Sequence, residues 1–279
     1  MTAGVPTLFA AEAEGNYKIR NQKIQQSVMA WCFKPMPVPE LIDHCVEIGL
    51  VAIEGISSEF FPLAVQKGLK ISLVRSHSFK QGPTDPQNHP IVEKQIIEAI
   101  DTAKKFGASN VIVFSGYVVE GLSAKQMTDN CIRFWQKVIK HAEKQNITLC
   151  LEQLNTRDKS HPMKGHPGYF ADDFDQCLDM VKAIGSKHFK LLFDIYHVSV
   201  MNGDIIRRIR DHAEYIGHVH TAGNPGRSEL DMPQEIQYRS VMKALVDIGY
   251  KGFVAHEFIP TREDKILSLR KACELCDIE

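Results

Sequence analysis

The 279-residue chain lacks most of the signals that would place it in a specialised class. No apolar run approaches the roughly 18 residues that a membrane-spanning helix needs, so no membrane partner is expected. No basic block stands out. The 33 basic and 34 acidic residues leave a formal net charge of −1, whereas a nucleic-acid surface concentrates lysine and arginine to neutralise phosphates. No nucleic-acid partner is expected either. Low-complexity segments, linkers and a G-x-G-x-x-G after the first strand-like run are all missing, which argues against a dinucleotide-binding open sheet. The seven cysteines are odd in number and scattered. Cys273 and Cys276 form a C-x-x-C pair, but no second pair completes a zinc site. They read as reduced core thiols of a reducing compartment. The opening "MTAGVPTLFAAEAEG" ends in an Ala-x-Ala pattern, yet it lacks the charged start of a secretory signal. Residues 1–15 therefore read as an export-signal remnant or a disordered arm, apart from a single folded domain over 16–279. A cytoplasmic location is expected, and a periplasmic one if that segment is an export remnant.

What the chain does have is alternation. Short runs rich in Val, Ile and Leu read as strands buried on both faces. They are "QSVMAW" (26–31), "VAIEGI" (51–56), "ISLVRSH" (71–77), "NVIVFSG" (110–116), "TLCLEQL" (148–154), "KLLFDIYH" (190–197), "YIGHVHTAG" (215–223) and "GFVAHEF" (252–258). Amphipathic helical stretches lie between them, for example over 38–49, 89–107, 123–145 and 240–249. Gly49, Gly107, Gly185 and Gly249 stand where helix C-caps belong. Eight such βα units over about 250 residues predict a (β/α)8 TIM barrel.

In a TIM barrel the active site lies at the carboxyl ends of the strands. Polar residues at those ends are therefore the candidates. Glu152 ends the fifth run, Asp194 the sixth, and Glu257 the eighth; the seventh carries His218 and His220. A carboxylate inside an apolar strand is costly unless it is paired or holds a metal. Three on neighbouring strands at one end, with His220 between them, predict one divalent ion. The oxygen-rich set favours Mg²⁺ or Mn²⁺ and leaves Zn²⁺ or Co²⁺ open. Such an ion polarises a carbonyl, and Glu152 and Glu257 flank it as an acid/base pair. Arg227, just past the turn after the seventh run, can fork onto a substrate oxygen. His197 and His77 are the other expected substrate contacts. His218, two before His220, faces the same side a layer deeper. His256 faces outward and reads as structural.

These residues resemble the hydroxypyruvate isomerase family within the xylose isomerase-like TIM barrels. The resemblance runs from about residue 24 to 262, through "MAWCF", "AIEG", "LEQLNTRD", "FDIYH", "HVHTAGNPGRSE" and "GYKGFVAHEF". It implies that Glu152, Asp194, His220 and Glu257 are metal ligands, that Glu152 and Glu257 exchange protons, and that His197 and Arg227 touch substrate. The implied reaction converts hydroxypyruvate to tartronate semialdehyde. Ketose 3-epimerase or inosose isomerase activity is the alternative. The hydroxypyruvate isomerases typically carry glutamine where this chain has His220, a feature of the epimerase branch. The expected partner is a small keto acid or sugar, and a homo-oligomer is left open. The endonuclease IV-like DNA-repair enzymes of the same group need further histidines and several zinc ions, and Ser115-Gly116-Tyr117 at the fourth run offers none. A non-catalytic sugar binder would be expected to lack one of the two glutamates.

Overall fold

The computed structural model describes residues 16–279. The reading of residues 1–15 as an export remnant or arm lies outside the described residues. The strands are β1 (Gln25–Val28), β2 (Ala52–Ile53), β3 (Lys70–Ile71), β4 (Val74–Arg75), β5 (Asn110–Val113), β6 (Thr148–Glu152), β7 (Phe189–Asp194), β8 (Ile216–Thr221) and β9 (Phe253–His256). Seven pair in the order β1-β9-β8-β7-β6-β5-β4, and β2 pairs with β3. Every one of these strand pairings is parallel. β2 joins β1 through a bridge between Met29 and Glu54, with Glu54 N donating to Val28 O at 3.0 Å.

β3 and β4 are two parts of the expected third strand. The lower part pairs with β2 and the upper part with β5. Barrel strands are staggered against their neighbours, so one strand can meet its two partners at different heights. Counted this way the sheet closes as eight strands, the (β/α)8 barrel that the alternation predicts.

The helices are α1 (Val38–Ile48), α2 (Phe61–Gln66), α3 (His89–Phe106), α4 (Ala124–Gln145), α5 (Phe174–Ile184), α6 (Ile195–Met201), α7 (Ile205–Asp211), α8 (Tyr238–Asp247) and α9 (Lys265–Cys276). Gly49, Gly107 and Gly185 cap α1, α3 and α5 in the left-handed region. Ile248 is the cap of α8, and Gly249 follows it at φ 70°. Ser123 and Gln126 close a capping box at the start of α4. All seven cysteines are buried and unpaired. No helix among the described residues is long and apolar enough to cross a membrane.

Strand ends fall short of the sequence expectation in a consistent way. The sixth run was expected to reach His197, but β7 stops at Asp194. The Asp194 carboxylate accepts the amides of Tyr196 and His197 at 2.8 and 3.2 Å and so starts α6. The first run ends at Val28, and the chain turns through a short 3-10 segment, Ala30–Phe33. Each shortfall swings side chains over the barrel mouth instead of extending the sheet.

Candidate active site at the carboxyl ends of the strands

Asp194 divides its two oxygens between fold and site. Oδ1 caps α6, and Oδ2 accepts from Arg227 Nη2 at 3.1 Å. Glu152 closes β6, and Glu257 lies one residue past β9. His220 points inward from β8. One ligand atom from each of Glu152, Asp194, His220 and Glu257 lies within 4.8 Å of the others, and all four residues are buried. His220 Nδ1 is 2.6 Å from Glu257 Oε2 and 3.6 Å from Glu152 Oε1.

The electrostatics separate the two glutamates. Burial, reinforced by the Glu257 and Asp194 charges, pushes the Glu152 carboxyl up to about 7. Burial acts on Glu257 in the same direction, but Arg227 and His220 outweigh it and hold that carboxyl down at about 2. His220 loses charge stabilisation by burial, yet Glu257 and Glu54 more than restore it and raise its pKa. Arg227 Nη2 also donates to Glu257 Oε2 at 2.8 Å, and Nη1 donates to Met163 O at 2.7 Å. Its guanidinium carbon lies 5.6 and 5.7 Å from the Trp31 and Tyr196 ring centres.

The donor set fits a divalent cation. Glu152 Oε1 is buried without a hydrogen-bond partner, and His220 Nδ1 is met only by carboxylates of the same cluster. Three carboxylates share the charge of one arginine and one histidine. Below them Glu54 holds His220 from the opposite side, with Oε1 at 2.7 Å from Nε2. Its other oxygen lies 2.9 Å from His218 Nε2 and accepts from Ser72 Oγ at 2.6 Å. His218 is therefore the deeper support that strand alternation predicts. His256 faces the helix layer and bridges Thr221 Oγ1 and Gln26 Oε1, at 2.9 Å each.

Above the cluster a cavity of about 290 Å³ opens, lined in part by Trp31, His77, His166, Arg227, Glu152 and Glu257. His197 lies on α6 beside it. Its Nδ1 accepts from Asn155 N at 3.1 Å and Asn155 Nδ2 at 2.7 Å. That fixes the Nε2–H tautomer and aims Nε2, which has no hydrogen-bond partner, toward Asp194 Oδ2 at 3.6 Å. His77 lines the wall differently from expectation. Its Nε2 sits against the Phe114 backbone at 3.0 Å and its Nδ1 against Ser76 Oγ at 2.9 Å, so both nitrogens have protein partners.

Glu54, Trp31 and His166 were not among the candidates read from sequence. Glu54 stood in "VAIEGI" as an acid in an apolar run, the same signal that marks Glu152. Trp31 Nε1 donates to Glu257 Oε1 at 2.7 Å. The His166 ring lies 4.6 Å from Phe79, and burial, helped by Arg227, lowers its pKa to about 4. Neither Trp31 nor His166 has a sequence signal beyond its residue type.

Residues 44–276 match the family model described as "Xylose isomerase-like TIM barrel". The chain belongs to the xylose isomerase-like TIM barrel family. Within that family it is 29% identical to the human "Putative hydroxypyruvate isomerase", over 58% of each chain. It is 32% identical to the "2-oxo-tetronate isomerase" of Cupriavidus necator, over 43% of each chain. The alignments thus span under two thirds of these two relatives. Among solved structures, D-psicose 3-epimerase from Clostridium cellulolyticum H10 superposes with a TM-score of 0.74 at 19% identity, covering 91% of this chain and 97% of that one. At that identity the likeness establishes the shared barrel alone.

Proposed function

We propose that this xylose isomerase-like barrel is a metal-dependent isomerase of a small hydroxy-carbonyl compound, with hydroxypyruvate to tartronate semialdehyde as its reference reaction. The observation that carries the reading is the buried cluster of Glu152, Asp194, His220 and Glu257 under the cavity. The relatives described as isomerases of hydroxypyruvate and 2-oxo-tetronate support it. Glu152, Asp194, His220 and Glu257 would hold one Mg²⁺ or Mn²⁺. When bound, such an ion supplies Lewis-acid polarisation of a substrate carbonyl and lowers the acidity barrier at the adjacent carbon.

The protein groups then divide the proton work. Glu257 Oε2, held ionised by Arg227, accepts the proton on the carbon beside the carbonyl. The C–H electron pair becomes the C=C bond of an enediolate, and the carbonyl pair moves to its oxygen. The hydroxyl proton passes to that oxygen. Glu152, on the other flank of the cavity, delivers a proton to the former carbonyl carbon, and the proton taken by Glu257 passes back to Glu152 through solvent to restore both carboxyls. Atoms and charge balance, and no redox partner is needed. Arg227 and the Nε2–H of His197 hold substrate oxygens in register, and the apolar cavity wall keeps water from the enediolate.

The cavity volume favours a second reading on the same chemistry, isomerisation or 3-epimerisation of a longer keto-sugar. About 290 Å³ is roughly ten times a water's share of liquid volume, more than a three-carbon acid fills. A screen of small keto acids and ketoses with Mn²⁺, read as solvent deuterium incorporated at carbon, tests the proposal. Glu152→Gln and Glu257→Gln should each slow exchange by about 100- to 10,000-fold. Full activity in both variants would remove the proton-shuttle assignment. Metal analysis should find one ion per chain.

A further inference from the structure

The barrel mouth is chemically divided. Glu152, Asp194, His220 and Glu257 all come from the fifth to eighth barrel strands or the residue just after. The half built by the first four strands contributes no acid to the cavity lining. It presents an apolar wall that includes Leu73, Phe79, Ile112 and Phe114, together with two cations, Lys34 and Arg75. Neither side chain makes a hydrogen bond or ion pair with any acid among the described residues, and both are exposed. Solvated surface cations are common, but these two stand on the cavity rim. Leu73 and His77 line the cavity and Val74 and Ser76 line a different hollow on the outside of the sheet, while Arg75 borders both. Lys34 follows the turn after β1, and its carbonyl accepts Lys265 Nζ at 2.7 Å, which adds a third positive charge at that edge. A cleft edged by one sign of charge over low-dielectric walls draws ligands of the opposite sign.

We propose that the substrate is a keto-sugar derivative or keto acid of more than three carbons whose far end carries an anion, carboxylate or phosphate, and that Lys34 and Arg75 hold that anion. The inference rests on the reading of the carboxylate cluster as the reacting end and takes up the second reading above, a longer keto-sugar or keto acid in place of hydroxypyruvate. The carbon chain then lies along the apolar wall, between the acidic half and the basic edge. A three-carbon acid cannot use both ends, because its only carboxylate adjoins the reacting carbons.

The test uses three probes with the same reacting end: D-fructose, D-fructuronate and D-fructose 6-phosphate. They end in a hydroxymethyl group, a carboxylate and a phosphate ester. Each is titrated calorimetrically into the Mn²⁺-loaded full chain, and into the exposed-site variants Lys34→Gln and Arg75→Gln. Wild type should bind at least one anionic probe about tenfold more tightly than D-fructose. Each variant should erase most of that preference and leave D-fructose affinity unchanged. Whichever anionic probe gains names the group. Equal binding of all three probes, absence of binding by any, or an unaltered preference in both variants overturns the proposal. Deuterium exchange is read separately. An anion preference without exchange of any probe or of hydroxypyruvate keeps the subsite and removes the isomerase reading. Exchange without an anion preference does the reverse.

Discussion

Glu54 carries a carboxylate to the layer beneath the site, where His218, His220 and Ser72 meet it. It is fully buried, and the two histidines beside it hold its pKa below the usual carboxylate range against the cost of desolvation. By accepting from His220 Nε2 it fixes the ring with Nδ1 turned toward Glu152 and Glu257, the nitrogen that would be the ligand once it gives up its proton to a bound metal. Such supporting contacts orient a ligand and raise its basicity. Glu54→Gln keeps the shape and removes the charge. It should weaken Mn²⁺ binding about 10- to 100-fold with the circular dichroism spectrum unchanged. Unchanged Mn²⁺ affinity would show that His220 needs no such support. The cost of burying a charge made Glu152, Asp194 and Glu257 legible one residue at a time. Glu54 obeys the same rule, but it lies a layer below the strand ends, where only the three-dimensional stack joins it to His220. His77 shows the converse: its residue type and position suggested a substrate contact, and only the Phe114 backbone beside it reveals that its nitrogens are occupied.

At the scale of elements, the loop after β8 does more than turn the chain. Gly223 N donates to Ser228 O at 2.8 Å and closes it, and Ile259 N donates to Arg227 O at 2.6 Å. The buried Glu229 carboxylate takes Thr261 N at 2.6 Å and Ser268 Oγ at 2.9 Å, tying the loop to the segment after β9 and to α9. Arg227 sits at φ 53°, an uncommon conformation for a residue with a side chain, so its aim is set by the loop around it. Gly223 and Gly226 separate close packing from backbone freedom. A Cβ at Gly223 would lie 2.3 Å from Glu229 O, a backbone atom that cannot swing aside. Gly223→Ala should cost about 1–3 kcal/mol in urea unfolding and lower exchange activity by displacing Arg227. A Cβ at Gly226 meets nothing nearer than 3.9 Å, so Gly226→Ala should cost only its left-handed backbone, about 1 kcal/mol. Equal losses would mean that the loop has room to relax. The sequence announced this element through Gly-Asn-Pro-Gly and the arginine after it. It could not show that Glu229 anchors the loop, because those partners lie more than thirty residues away.

Over the whole molecule, the barrel was legible because strands buried on both faces leave continuous apolar runs and the helix stops carry glycine. The split third strand was not legible, since stagger between neighbours leaves no mark on composition. Closure also hides polar pairs whose protonation bears on global stability. His256 joins three consecutive barrel strands, bonding Gln26 on β1 and Thr221 on β8 from its own β9. Burial lowers its pKa from 6.5 to about 3. His77, lowered to about 4 by burial against the help of the Phe114 backbone, behaves alike. Below pH 6.5 the unfolded chain binds a proton at each position that the folded chain refuses. The stabilisation is therefore complete above pH 6.5 and is lost as pH falls toward the folded values. At pH 5 each histidine should have lost about 2 kcal/mol. Glu152 works in the opposite sense, because its raised folded pKa makes the fold gain stability as pH falls below 7. The total curve mixes the signs, but a difference isolates one group. The gap in unfolding free energy between wild type and His256→Gln, both metal-free, should shrink by about 2 kcal/mol from pH 7.5 to pH 5. Glutamine keeps a donor and an acceptor for Thr221 and Gln26 but cannot take up the proton. A gap that stays constant across that range would mean that His256 is not held neutral by the closed barrel.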